Sequence, residues 1–296
     1  MMCLLCRSHN VRLLLKPSAS LSKTLQGQYF ISSERFGLHD AIYQCAACSF
    51  AFIPRLLVDK HALDAFYENA PLDIQYLRDS FGRKKTARRI LGAIDSFAPP
   101  INPHKRILDI GCNAGLFLRE AELAGFEGYG VDLSRNAVLF AQKHCGLRSV
   151  VRGGGNAIAQ FPDNFFSVIT AFDVLEHVYD PFSVAALVDR KLRKNGLFVF
   201  TAPLLDSPSA KIMGPYWHGF LPSHLSYFTR DAIARFIARN GWQLVMARYY
   251  LRFFSLASII RRMVQKNDLW LPSFFNITVG AHAFDEIEVY ARKQKS

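Results

Sequence analysis

The chain has 296 residues, half of them hydrophobic, and a formal charge of +12. That length can bury a sizeable core, and that composition excludes a disordered chain. No apolar run approaches the roughly 18 residues needed to span a bilayer, and the first ten residues, "MMCLLCRSHN", lack a charged start and an extended apolar stretch. These features predict a soluble cytoplasmic protein without a transmembrane segment, with peripheral membrane contact left open. The positive charge is clustered, at Arg83-Lys84-Lys85 with Arg88-Arg89, at Arg190-Lys191 with Arg193-Lys194, and at Arg261-Arg262. Such clusters attract acidic or sugar-type partners such as nucleotide-linked sugars, anionic polysaccharide or nucleic acid, or are solvated helix faces.

In chain order, residues 1–54 read as a small β-rich unit with strand-like runs "GQYFIS" and "AIYQCAACSFAFI", closed by Pro54. Four of the six cysteines fall here as two C-x-x-C pairs, Cys3 with Cys6 and Cys45 with Cys48. Two thiolate pairs on tight turns make a tetrahedral site for one structural zinc ion, the reading preferred over disulfides in a chain without an export signal. Neither pair is followed by the glycine that commonly lets such a knuckle turn; Arg7 and Ser49 stand there. Cys112 and Cys145 read as small core residues. Residues 55–97 turn helical, with Leu56, Leu63, Phe66 and Tyr67 on one face, and Ile74, Leu77, Phe81, Ile90 and Ile94 on a second helix after Pro71. "FAPPINPHK" then breaks the chain and opens a third region, 98–296.

From there strands at 106–110, 128–132, 148–152, 166–172 and 197–202 alternate with helices at 115–124, 135–145, 182–194 and 230–240. This alternation predicts an α/β fold with a parallel sheet whose ligands gather at the C-terminal strand ends. Two last strands, "WQLVMARYY" and "EIEVYARK", flank an apolar, Arg-bearing helix near 253–264.

The first of these strands runs into a glycine turn, "RILDIGCNAGLFL". A strand, a tight turn and a helix start present backbone N–H groups to a ligand, but Gly111 and Gly115 alone do not complete the G-x-G-x-x-G cradle for a pyrophosphate. The next strand ends at Asp132, where a carboxylate holds a ribose diol. A ribose acceptor without a phosphate cradle fits a nucleoside lacking phosphate, and S-adenosylmethionine, with a cationic methionine end that Asp109 can face, is the abundant one.

The stretches "ILDIGCNAG", "GYGVDLS", "FPDNFFSVITAFDVLEHVYDP" and "LRKNGLFVFTAP" resemble, in order and spacing, successive motifs of class I S-adenosylmethionine-dependent methyltransferases. The resemblance implies a Rossmann-like sheet of seven strands with the last antiparallel. It places Asp109, Gly111, Asn113 and Gly115 around the methionine part and Asp132 with Leu133 at the ribose. Asn156 replaces the family's usual aspartate at the adenine, Ser167 stands where an aspartate is usual, and Phe172 and Asp173 face the cofactor. His177, in "LEHV", lines the site or serves it structurally ahead of a catalytic role.

The cysteine unit and "YWHGFLPSHLSYFT" are similar to a bacterial group that methylates sugars, including nucleotide-sugar C-methyltransferases. Their matching stretch reads roughly Tyr-His-Glu-His-Phe-Ser-Tyr-Phe. Here His224 remains, whereas Leu221 and Ser223 replace the tyrosine and glutamate. One histidine with fewer stabilisers suits O-methylation of a sugar, glycan or nucleotide-linked sugar better than proton removal from carbon. His224 is then the general base or at least orients the acceptor, ahead of the alternative that it packs against the helix beginning near Thr229 and caps it, and Trp217, His218 and Tyr227 are expected to line an acceptor pocket. The alternatives are an RNA methyltransferase, against which stands the absence of Asn-Pro-Pro-Tyr after the fourth strand and of a nucleophilic cysteine near it, and a catalytically silent binding module of the same fold.

Overall fold

The structure, a computed structural model, describes residues 1–18, 38–97, 105–263, 272, 275, 277–281 and 284–294. The "GQYFIS" run and the proline-rich break at 98–104 lie outside the described residues.

The N-terminal part holds strands β1 (Val11–Leu15), β2 (Ile42–Cys45) and β3 (Ala51–Phe52), followed by helices α1 (Lys60–Glu68), α2 (Ile74–Arg78) and α3 (Ser80–Phe97). The second expected helix is thus two, separated at Asp79. Ile74 and Phe81 are 60% and 56% exposed, and the buried stripe runs instead through Gly82, Thr86, Ala87, Ile90, Leu91 and Ile94. Leu56, expected on the apolar face, sits in a 3-10 turn and is exposed, whereas Leu63 is buried.

Beyond residue 105 come β4 (Arg106–Ile110), α4 (Leu116–Leu123), β5 (Glu127–Asp132), α5 (Arg135–His144), β6 (Val150–Arg152), β7 (Phe166–Ala171), α6 (Pro181–Lys191), β8 (Leu192–Pro203), α7 (Pro208–Met213), β9 (Ser226–Tyr227), α8 (Arg230–Arg239), β10 (Trp242–Tyr249), β11 (Arg252–Ser255), α9 (Leu256–Met263), β12 (Thr278–Ala281) and β13 (Glu286–Lys293). Side-chain oxygens set the helix starts: Ser134 accepts from Ala137 N–H and Thr229 from Ala232 N–H. α6 stops three residues earlier than the sequence implies, because the chain is already extended at Leu192 and Lys191 turns inward to donate to the Phe161 carbonyl. The expected helix near 253–264 begins instead as β11, which pairs with β12 in a separate two-stranded ribbon.

Seven strands form one sheet in the order β10-β13-β8-β7-β4-β5-β6, with β13 antiparallel to both neighbours. From β4 the chain moves outward through β5 to β6, then returns to β7 on the other side. The C-terminal ends of β4 and β7 therefore meet at the point where strand order reverses, which opens a crevice for a ligand. Ser167, at the position of a family aspartate, stitches these strands by donating to the Arg106 carbonyl at 2.8 Å.

The N-terminal strands continue into the later chain. β3 pairs with β9, Ala51 opposite Tyr227 and Phe52 opposite Ser226, and Arg239 of α8 donates to the Leu4 and Leu5 carbonyls. Phe50 packs edge-on to Phe228 and Phe182. The small unit is thus built onto the sheet's own core. No helix among the described residues is long and apolar enough to cross a membrane.

Candidate active site

Gly111 follows β4 with φ of 70°, where an L side chain is strained, and a Cβ there would stand 2.6 Å from Val174 Cγ2. The turn after β7 lies directly over the turn after β4 for this reason. Gly115, with φ of 77°, would drive a Cβ to 2.4 Å from Leu147. It is the start of α4 and packs beneath the turn; it does not line the cavity, which corrects its expected place around the methionine part.

The two turns and β5 enclose a cavity of ≈ 1010 Å³ lined by Asp109, Gly111, Asn113, Asp132, Leu133, Asn156, Phe172, Asp173 and His177. The Asp132 carboxylate accepts the Asn113 and Ser134 N–H groups, both at 2.8 Å, one on each oxygen. Each oxygen keeps a lone pair, so the fixed carboxylate can receive a vicinal diol. Asp109 is almost fully buried and accepts the Thr170 hydroxyl at 2.6 Å. Burial pushes its carboxyl up to about 7, the Thr170 bond opposes this, and nearby Asp132 adds to it. A cation placed beside Asp109 would restore its charge. Phe172 is held edge-on to Phe117, with ring centroids 4.9 Å apart.

The chain matches the methyltransferase-domain family model over residues 82–247. It belongs to that family. Relatives of the methyltransferase include a ubiquinone biosynthesis O-methyltransferase from Methylococcus capsulatus, 34% identical over 113 residues that cover 37% of this chain and 47% of that protein. The mitochondrial ubiquinone biosynthesis O-methyltransferase of Schizosaccharomyces pombe is 34% identical over 103 residues, covering 33% of this chain and 37% of that protein. The chain spans less than half the length of these curated relatives. They are not sugar methyltransferases, so the sequence resemblance to a sugar-modifying group finds no support in them. Among solved structures, a SAM-dependent methyltransferase from Archaeoglobus fulgidus superposes with a TM-score of 0.50 at 18% identity, covering 75% of this chain and 100% of that one, a likeness of fold.

The cavity is also lined by residues that no sequence motif singled out: Tyr67 from α1, Asp79 and Arg83 at the α2–α3 junction, Tyr250 and Arg252 at β11, and Asp285 and Glu286 at β13. His177 reaches this space from the turn after β7. Its Nδ1 lies 2.9 Å from the Tyr67 hydroxyl and 3.1 Å from the Ser223 carbonyl. The carbonyl only accepts, so Nδ1 carries the proton and Nε2 the lone pair. Burial lowers the His177 pKa, which keeps the ring neutral and able to accept a proton.

His224 lies behind His177, ring centroids 4.6 Å apart, and its Nδ1 donates to the Gly219 carbonyl at 2.8 Å. It is buried and is not part of the cavity wall. The expectation that His224 contacts the acceptor therefore passes to His177, because the Glu176 carbonyl, which accepts both Leu225 and Ser226 N–H, tucks the His224 segment under the turn. Trp217 and Tyr227 are corrected too: both are fully buried, Trp217 against Phe220, and Tyr227 in β9. His218 does line the cavity and bonds Asp285. Glu176, His177 and His224 each offer a ligand atom within 4.8 Å of the others, a set able to hold a cation.

Far along the chain from this cavity, the sulfurs of Cys3, Cys6, Cys45 and Cys48 all lie within 4.8 Å of one another, with Cys3–Cys48 and Cys6–Cys45 at 3.5 Å. These distances are too long for disulfides and near the roughly 3.8 Å that a tetrahedral ion with bonds of about 2.3 Å imposes. Arg7 and Ser49 adopt φ of 61° and 58°, and their N–H groups close each knuckle on the Cys3 and Cys45 carbonyls. The missing glycines are therefore replaced by two residues in the same left-handed conformation.

Proposed function

We propose that this methyltransferase moves a methyl group from S-adenosylmethionine to a hydroxyl oxygen of a small acceptor. The observation that carries the reading is one cavity lined both by the Asp109 and Asp132 carboxylates and by the His177 ring. The cofactor, when bound, supplies a methyl group on a sulfonium. In this reading Asp132 holds the ribose hydroxyls, Asp109 faces the cationic methionine end, Asn156 receives the adenine amino group, and Leu133 and Phe172 supply apolar walls. His177 takes the acceptor's proton on Nε2 while Tyr67 and the Ser223 carbonyl fix the ring. Holding donor and acceptor in one cavity removes the entropy of bringing them together.

The O-methyltransferase names of the relatives support transfer to oxygen, and a sugar or glycan hydroxyl, as read from the sequence, or a ring hydroxyl both satisfy the geometry. No observation favours the RNA reading or the silent binding module. We further propose that the four cysteines hold one structural zinc, which fits the sulfur spacing and the two knuckle turns, and that residues 1–54, 55–97 and 98–296 are its successive units. The test is release of S-adenosylhomocysteine from purified protein offered sugars, glycans and phenols, with metal content measured on the same preparation. Failure to bind either form of the cofactor overturns the reading.

A further inference from the structure

The methyltransferase is strongly basic overall, yet its cavity is acidic: nine carboxylates, eight Asp and Glu286, line it against three fixed cations, Lys60, Arg83 and Arg252. Each cation is already engaged. Lys60 pairs with Asp64 at 2.7 Å. Arg252 is held by Asp173 at 3.1 Å and by Glu286. Arg83 lies over the Tyr76 ring at 3.7 Å and donates from Nε to the Tyr76 carbonyl. His218 is bound to Asp285.

One acceptor at this end lacks a donor. Asp79 is 1% exposed; its Oδ1 accepts the Ser255 N–H at 2.9 Å, while Oδ2 has no partner among the described residues. A buried carboxylate oxygen left unpaired is costly, and this unpaired oxygen behind the wall makes a further negative charge in the cavity costlier still. A phosphate brings only acceptors and negative charge, and would have to displace Asp173 or Glu286 from Arg252 to find a cation.

Resting on the methyl-transfer reading, we propose that the acceptor is an uncharged, hydroxyl-bearing molecule recognised through the Arg252–Glu286 pair, and that phosphate-bearing acceptors are excluded by the charge of the carboxylates, Asp79 included. Asp79, Asp285 and Glu286 are then specificity-determining residues. Burial also raises the Glu286 carboxyl to about 7, against the opposing pull of Arg252, which lets it donate as well as accept near neutrality.

The experiment first measures S-adenosylhomocysteine binding by titration calorimetry, then titrates the saturated protein with UDP-glucose, methyl α-glucoside and catechol. The expected result is that UDP-glucose binds no tighter than the better of the two uncharged probes, and that glucoside against catechol sorts a sugar from a ring hydroxyl. Asp285→Asn with Glu286→Gln should raise UDP-glucose affinity about tenfold by removing two negative charges, freeing His218 and leaving Arg252 with Asp173 as its one remaining carboxylate. Should that pair fail to fold, Asp79→Asn alone should shift UDP-glucose in the same direction. UDP-glucose binding the native protein about tenfold more tightly than both uncharged probes overturns the proposal. Carboxylate variants that gain nothing overturn it too. Loss of the first titration would instead sink the methyl-transfer reading, so the two failures are distinguishable.

Discussion

The cavity's lining is built in two different ways. The proposed cofactor end is made at the C-terminal ends of three strands that are neighbours in the sheet: Gly111 after β4, Asp132 as the last residue of β5, Phe172 and Asp173 after β7, all within about sixty residues. The acceptor end is made by side chains from α1, the α2–α3 junction, the 218–224 segment, β11 and the start of β13, brought together only by tertiary packing. One end is therefore a property of the sheet and the other a property of whatever is packed against it. Damage to the second should leave the first working.

The largest expected effect tests that separation. His177→Ala should lower turnover by about 10²–10⁴ while cofactor affinity stays within a few-fold, because a positioned base acts on the acceptor alone. Steady-state kinetics and calorimetry on the same preparation check it, and equal losses in both would merge the two ends. Asp132→Ala should do the converse, weakening S-adenosylhomocysteine by about 10², the loss of two hydrogen bonds to a charged group. If the proposed zinc is held as described, metal analysis should find about one zinc per native chain and none in Cys45→Ser, whose melting temperature should also fall. Because β3 pairs with β9 beside the His224 segment, turnover should suffer more than cofactor affinity.

Asp109 gives a smaller, pH-dependent effect. Its folded carboxyl titrates near 7, and a cationic ligand favours the ionised form. Cofactor affinity should be full above this value and fall about tenfold from pH 8 to pH 6, a trend calorimetry reads directly. An affinity that stays flat or rises on acidification would show that no cation sits beside this carboxylate.

How much was readable follows the same division. The places of Asp109, Gly111 and Asp132 at strand ends were legible because a buried strand followed by a turn residue has few physical alternatives, whereas the seven strands with the last antiparallel came from the family resemblance and their order from the structure. The acceptor wall was not. Asp79 sits in a polar stretch, "YLRDSFGRKK", that reads as solvated helix, and only the break at that residue turns it inward. Arg252 stands just before what reads as an apolar helix from 253 and emerges at the start of a strand. His224 was placed on the correct side of the sheet, but neither periodicity nor motif reveals which of two neighbouring rings faces the cavity. The Cys₄ knuckles were visible from spacing, although the turn-forming residues were not the glycines expected.

The central claim is that the turn after β4 and the carboxylate after β5 form a nucleoside site without a phosphate cradle. Parallel titrations of the native protein with S-adenosylhomocysteine and with NAD test it most directly. The account expects saturable one-to-one binding of S-adenosylhomocysteine and none of NAD; tight NAD binding with no response to S-adenosylhomocysteine would contradict it.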